Sequence, residues 1–159
     1  MKNTAVIRKA VPDDINAIYD IIKSYSNDGV ILERSHGNIK LSLSDFHVAE
    51  LNHAIAGVIS HFDYGTHLKE IRSLGVKKNF LRRGIGSALL MKVIQDLCRQ
   101  NKPKIFVLTY TPEFFERNGF SVIQKDTLPE KIWKDCSKCK NIDICSEIAL
   151  EYQCTLKET

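Results

Sequence analysis

The stretch from Glu70 to Leu90, EIRSLGVKKNFLRRGIGSALL, constrains this chain more than any other. It reads as a strand, a basic turn, and a helix that opens on Gly84 and Gly86. After the turn, apolar residues fall at Ile85, Leu89, Leu90, Val93, Ile94 and Leu97, which is one face of a 3.6-residue period. The turn carries Lys77, Lys78, Arg82 and Arg83. A glycine-containing helix start bares backbone N–H groups at the positive end of the helix dipole, where a phosphate can sit. Gly84 and Gly86 let a ligand come close where a Cβ would block it. The stretch therefore reads as a pyrophosphate cradle. The plainer alternative is a helix that merely starts with glycines behind a solvated basic turn, and G-x-G alone is too short to separate the two. The surroundings exclude two common phosphate binders. There is no second strand-and-acid unit of the dinucleotide-binding kind, and no lysine follows the glycines as in a P-loop.

A length of 159 residues predicts one domain, residues 1–159, with room for a real core. The net charge of +4 suits an anionic ligand but is spread along the chain and does not call for nucleic acid. The chain has no apolar run of membrane-spanning length, and its start, MKNTAVIRKAVPDD, lacks a signal-peptide core, so no membrane association is expected. Five cysteines, an odd number, without a secretory signal point to a reducing cytoplasm.

In chain order, Thr4 to Arg8 predicts a first strand, and Pro12-Asp13-Asp14 opens a helix with Ile15, Ile18, Tyr19, Ile21 and Ile22 inward. A turn at Asp28-Gly29 leads into an apolar run ending at Glu33 and Arg34. Phe46 to Leu51 and Ala54 to His61 read as a hairpin across Asn52-His53, with Gly57 suggesting a bulge. Alternation along Glu70 to Val76 places Glu70, Arg72, Leu74 and Val76 on one face, and Ile71, Ser73 and Gly75 on the other. Pro103 stops the long helix, Lys104 to Thr109 is a compact apolar strand, and Thr109 to Phe120 holds a short helix ending at Gly119. Ser121 to Lys125 and Ile148 to Leu156 read as paired sixth and seventh strands.

Between those last strands lies an insert, Asp126 to Glu147, containing Cys136, Cys139 and Cys145. C-x2-C-x5-C suggests zinc, which needs four ligands. Cys154 is the fourth candidate, but alternation puts it on a buried strand face, and no local H-x3-5-H exists. Reduced thiols packing the insert, or a redox-labile pair, compete with zinc, and no metal is expected. Phe120, Trp133 and Tyr152 read as core or pocket wall.

The glycine turn resembles motif A of the GNAT superfamily of acyl-CoA-dependent N-acetyltransferases, Q/R-x-x-G-x-G/A at the end of the fourth strand, with Leu81 in the first position. IRKAVPDDINAI resembles the family's opening, an I-R-x-A strand before an aspartate-capped helix, and TYTPEFFERNGF resembles motif B. With GVILERS, EIRSLGV and the LPEKIWKDC insert, the set is similar to the short stand-alone amino-acid N-acetyltransferases related to N-acetylglutamate synthase, from Ile7 to about Leu150. One departure is Glu33, where relatives tend to have proline. The resemblance implies a GNAT fold, α/β (α+β), with a mixed sheet of about seven strands, about four helices and the cysteine insert before the last strand.

It also implies the chemistry. Acetyl-CoA would be co-substrate, with its pantetheine beside Leu74, Gly75 and Val76 and its phosphates on Leu81, Arg82, Arg83, Gly84, Ile85, Gly86 and Ser87. A glutamate fourteen residues before the first motif glycine often serves as general base, and Glu70 stands there. Its competitor is a surface pair of Glu70 with Arg72. Motif B commonly supplies a tyrosine that protonates the leaving thiolate. Here that position is Phe115, which leaves Tyr110, the nearest phenol in sequence, or solvent. A substrate carboxylate needs a cation, preferably a guanidinium. Arg72 is the first candidate, with Arg34 and Lys131 behind it. The implied reaction is acetyl transfer to the α-amine of an amino acid such as glutamate, in arginine biosynthesis, by a cytoplasmic protein for which a homodimer is allowed. Rival readings are a GNAT for a polyamine, aminoglycoside or protein amine, and a non-catalytic acyl-CoA-binding domain.

Overall fold

The computed structural model describes residues 4–65, 67–128 and 147–154. Lys131, Trp133, Cys136, Cys139 and Cys145 lie outside the described residues. The chain runs β1 (Val6–Lys9), α1 (Ile15–Asn27), α2 (His36–Leu41), β2 (Phe46–Leu51), β3 (Ala54–Asp63), β4 (Leu68–Val76), α3 (Ile85–Cys98), β5 (Lys104–Thr109), α4 (Pro112–Arg117), β6 (Ser121–Ile123) and β7 (Ile148–Gln153). These strands form one sheet in the order β1-β2-β3-β4-β5-β7-β6. Every neighbouring pair is antiparallel except β4 and β5. The last strand slots between β5 and β6 and pairs with both, where sequence suggested only the sixth.

The helices cover the two faces of the sheet. On one side α3 buries Ile85, Leu89, Leu90, Val93, Ile94 and Leu97, the same six positions its period picks out. They pack with Ile59, Ile71, Ile105 and Leu150. On the other side Ile18, Ile21 and Ile22 of α1 pack with Ile39 of α2 and with Phe46, Val48 and Val58 of the sheet. Pro12-Asp13-Asp14 forms a short 3-10 turn ahead of α1. Asp14 precedes α1 but does not cap it, since its carboxylate turns back to accept the Val11 N–H at 2.8 Å and pairs with Arg8 at 2.8 Å.

Two local irregularities shape the centre of the sheet. Asn52 and His53 both have positive φ, as a two-residue hairpin with the sheet's twist requires. The β2–β3 register then shifts beside Gly57, as expected there. A second shift, between β3 and β4, falls between the pairs Val58–Gly75 and Ser60–Arg72. Two residues of β4 there, Ser73 and Leu74, face one of β3, Ile59, and Ser73 takes φ 53°. This bulge overturns the simple alternation. Leu74 and Val76 face α3 with Ile71, whereas Gly75 lies under α1, so Leu74 and Val76 do not share the face of Glu70 and Arg72. An extra residue changes which side every later residue of a strand points to.

Cys98, at the end of α3, and Cys154, just after β7, form a disulfide across 56 residues of sequence. That bond removes Cys154 as a zinc ligand, and the reduced state expected of the cysteines does not extend to this pair. Among the described residues no group of three His, Cys, Asp or Glu is placed to hold a metal, and no helix is long and apolar enough to cross a membrane.

Candidate active site

β4 and β5 pair only at Leu68–Lys104, Lys69–Ile105 and Glu70–Phe106. Beyond Glu70 the two parallel strands part, while β5 stays paired with β7 along its other edge. Among the described residues β4 therefore has an open edge from Ile71 to Val76. The Lys77 N–H bonds back to the Ala56 carbonyl at 2.7 Å, on the β3 side. In a strand successive residues direct their backbone groups to opposite edges, so the N–H and C=O of Val76 point away from β3 into the gap. The Val76 carbonyl does accept a bond there, from the Tyr25 hydroxyl at 2.6 Å. Val76 N–H thus belongs to the gap.

The gap leads to the start of α3. Gly84 stands before the helix at φ 78°, a left-handed conformation that costs a residue with a Cβ about 1–2 kcal/mol. The first bond within the helix runs from Ala88 N–H to the Gly84 carbonyl, so the N–H groups of Ile85, Gly86 and Ser87 have no acceptor in the helix. A Cβ on Gly84 would meet nothing within 4 Å, while one on Gly86 would touch the Phe114 ring at 3.4 Å. Gly84 faces the open approach expected of a cradle, and Gly86 is also where α4 comes close. Leu81, Arg82 and Arg83 are exposed, Arg83 lying over the Phe80 ring. Ser87 accepts a bond from Asn118 of the α4 end, a partner that sequence reasoning missed.

Glu70 sits where the strands part, 8% exposed and in the middle of the sheet rather than on a surface. Its Oε1 accepts from Arg72 Nε at 2.7 Å and from the Tyr64 hydroxyl at 3.0 Å. Arg72 also donates from Nη2 to the Tyr64 oxygen at 2.9 Å and lies over the Phe62 ring at 4.3 Å. Burial pulls the Arg72 pKa down, but Glu70 outweighs it and the guanidinium stays firmly charged. Burial and the Glu70 charge push the Tyr64 phenol up, so Tyr64 is a standing hydrogen-bond donor.

Arg34 reaches the same neighbourhood from the segment before α2. It donates to Asn38 at 2.7 Å, Ser42 at 2.9 Å, Ser73 at 3.1 Å and Ser60 at 3.2 Å, with its guanidinium over the Phe46 ring. All four partners are neutral. Burial and the nearby charge of Arg72 pull its pKa down. The bulge at Ser73 is what turns a hydroxyl of β4 toward Arg34. The fold thus joins Glu70, Arg72 and Arg34, and adds Tyr64, Ser60 and Ser73, which have no motif to announce them.

Tyr110 follows the last residue of β5 on the rim of the gap, half exposed, whereas the phenol at Glu70 is that of Tyr64. Phe115, in the motif B tyrosine position, is 4% exposed and packed edge-on between Phe114 and Phe120, so it belongs to the core. A separate hollow of about 340 Å³, lined among others by Lys9, His47, His61 and Asp96, lies along the last turns of α3 and is not part of this site.

The chain and its fold match known proteins. Residues 42–122 match the acetyltransferase (GNAT) domain family. An uncharacterized N-acetyltransferase of Chlorobaculum tepidum is 38% identical over 144 residues, covering 91% of this chain and 93% of the relative. An amino-acid acetyltransferase of Mycobacterium tuberculosis is 26% identical over 150 residues, covering 92% of this chain and 86% of the relative. Among solved structures, N-acetylglutamate synthase from Neisseria gonorrhoeae, complexed with coenzyme A and N-acetyl-glutamate, superposes over 98% of this chain with a TM-score of 0.88 at 24% identity. This chain spans 36% of that longer protein. Fold, domain match and whole-length kinship agree: the chain belongs to the GNAT family, as an acetyl-CoA-dependent N-acetyltransferase.

Proposed function

We propose that the chain acetylates the α-amine of an amino acid, glutamate or a close relative, with Glu70 as general base. The observation that carries this reading is the pair of guanidiniums beside the carboxylate. Arg72 and Arg34 bring two guanidiniums to a pocket beside the Glu70 carboxylate, with Asp45 offsetting part of the charge at Arg34. Such a pocket attracts a carboxylate-bearing substrate and repels a polyamine. The relatives named as amino-acid acetyltransferases support the same class.

In this reading acetyl-CoA lies in the gap, with its phosphates at the N–H groups of Ile85, Gly86 and Ser87 and near Arg82 and Arg83. The residues fit such a ligand, since the helix start is bare and the cations surround it. An α-ammonium cannot attack until it loses a proton, and Glu70, directly or through a water, takes it. Tyr64 and Arg72 both bind Oε1, which leaves Oε2 for that proton. The Val76 N–H receives the negative charge that develops on the thioester oxygen. The departing thiolate then takes a proton from solvent or from Tyr110 on the rim. Arg72 and Arg34 are the candidates for the substrate carboxylate, and Lys131 remains one from sequence. A cytoplasmic role in arginine biosynthesis is the setting this substrate implies.

The test is acetyl-CoA turnover by free-thiol release across the twenty amino acids, spermidine and a lysine peptide. A maximum with glutamate, glutamine or aspartate supports the proposal. Turnover on the polyamine or peptide alone discards the substrate class, and CoA binding without turnover on any amine overturns the catalytic reading.

A further inference from the structure

Tyr25, in the last turn of α1, makes contacts that the acetyl-transfer scheme leaves unused. Its hydroxyl donates to the Val76 carbonyl at 2.6 Å, on the open edge of β4. Its ring packs close against the strand because residue 75 is glycine: a Cβ there would stand 3.2 Å from Tyr25 Cδ2 and 3.2 Å from Ile21 Cγ2. Lys78 Nζ sits 5.4 Å from the ring centre and is itself held by Asp28 at 2.7 Å. The ring is therefore held between the strand and a cation.

An open strand edge offers a ligand both N–H donors and C=O acceptors. At Val76 the carbonyl already has a partner. The bonded carbonyl holds the peptide unit, and with it the orientation of the Val76 N–H. We propose that Tyr25 is a positioning residue of the acyl-donor site, acting through Val76: its hydroxyl bonds the Val76 carbonyl and so keeps the Val76 N–H aligned as a donor to the acyl oxygen. The inference rests on the reading of the gap as the acetyl-CoA site. Burial pushes the Tyr25 phenol up, so the hydroxyl keeps its proton throughout the working pH range.

The test pairs two variants. Tyr25→Phe keeps the ring and removes the hydroxyl, and Gly75→Ala keeps the hydroxyl and pushes the ring away from the strand. Each should raise KM for acetyl-CoA by roughly three- to tenfold, the worth of one hydrogen bond, and leave KM for the amino acid unchanged. An equal rise in both KM values, or none in the acetyl-CoA value, overturns the inference, because a merely structural residue would not split them. Urea midpoints of both variants identify the folded fraction, and a Gly75→Ala protein that folds keeps the test valid if Tyr25→Phe does not. Titration of Gly84→Ala and Tyr25→Phe with acetyl-CoA, without amine, separates the two layers of the argument. Weakened acetyl-CoA binding in Gly84→Ala with unchanged binding in Tyr25→Phe sinks the role of Tyr25 alone. Unchanged acetyl-CoA binding in both sinks the donor-site reading itself.

Discussion

The proposed donor end and the proposed acceptor pocket share one strand, β4, and are made of different materials. The donor end consists of backbone: Val76 N–H on the open edge and the N–H groups of Ile85, Gly86 and Ser87 at the start of α3, all within twelve residues of sequence. The acceptor pocket consists of side chains from segments far apart in the chain. Arg34 precedes α2, Ser60 belongs to β3, Tyr64 follows it, and Glu70, Arg72 and Ser73 sit on β4. A backbone site tolerates exchange of the side chains around it, which is why Leu81 can stand in the first motif position. A side-chain network does not, since each group holds the next. The difference predicts where single substitutions hurt. Glu70→Gln should lower kcat by roughly 10²–10⁴-fold in thiol-release assays, because the amide cannot take a proton. A loss below about tenfold would make water the base and leave Glu70 a scaffold for Arg72.

The same difference decides how much was legible in the sequence. The helix face of α3 was readable to the residue, since Ile85, Leu89, Leu90, Val93, Ile94 and Leu97 repeat with the helix period and nothing tertiary disturbs it. The hairpin at Asn52-His53 was readable from its turn. The bulge at Ser73 was not, because a serine in a left-handed conformation leaves no pattern, and missing it misplaced Leu74 and Val76. Glu70 and Arg72 were found together because they are two residues apart on a strand. Tyr64 was not found, because its place beside Glu70 depends on how β3 and β4 turn into one another. The same limit hid Tyr25, which meets Val76 across 51 residues. Cys98 and Cys154 lie 56 residues apart, and only the packing of α3 against β7 brings them together.

Arg72→Lys sharpens the comparison within the pocket. Lysine keeps the charge but lacks the planar fork that binds Glu70 and Tyr64 at once. If Arg72 also takes the substrate carboxylate, KM for the amino acid should rise by about ten- to a hundredfold, ~1.4–2.7 kcal/mol of a lost charge-assisted bond, while KM for acetyl-CoA stays level. A rise confined to acetyl-CoA would move Arg72 to the donor side. On the donor side the expected damage is smaller. Gly84→Ala forces a Cβ into the left-handed region and re-aims the helix start, which should raise KM for acetyl-CoA a few-fold, about 1 kcal/mol. A loss as large as that of Glu70→Gln would mean that the donor end is no more tolerant than the pocket.

The smallest effect on activity belongs to a third network, away from β4, and it tests whether the sensitivity of the pocket comes from buried pairing as such. Asp14 is almost fully buried, paired with Arg8 and bonded to the Val11 N–H, much as Glu70 is paired with Arg72. Burial pushes the Asp14 carboxyl up, yet Arg8 and the Val11 N–H outweigh it and hold the pKa below the ordinary aspartate value. A depressed pKa in the folded state adds stability that is fully present above the unfolded value, about 3.9, and is lost as pH falls through the folded one. Asp14→Asn should therefore cost about 1–3 kcal/mol of stability at pH 7, the range for a bond to a charged group, and leave kcat of the folded enzyme within a factor of two. The gap between wild type and variant, read from urea midpoints, should hold from pH 7 to about pH 5 and narrow steadily as pH falls below the unfolded aspartate value of about 3.9. A gap that does not narrow there would assign the stabilisation to shape rather than charge. A fall in kcat as large as that of Arg72→Lys would show that the β1–α1 corner reaches the catalytic pocket, and the contrast between the two ends of β4 would then have to include it.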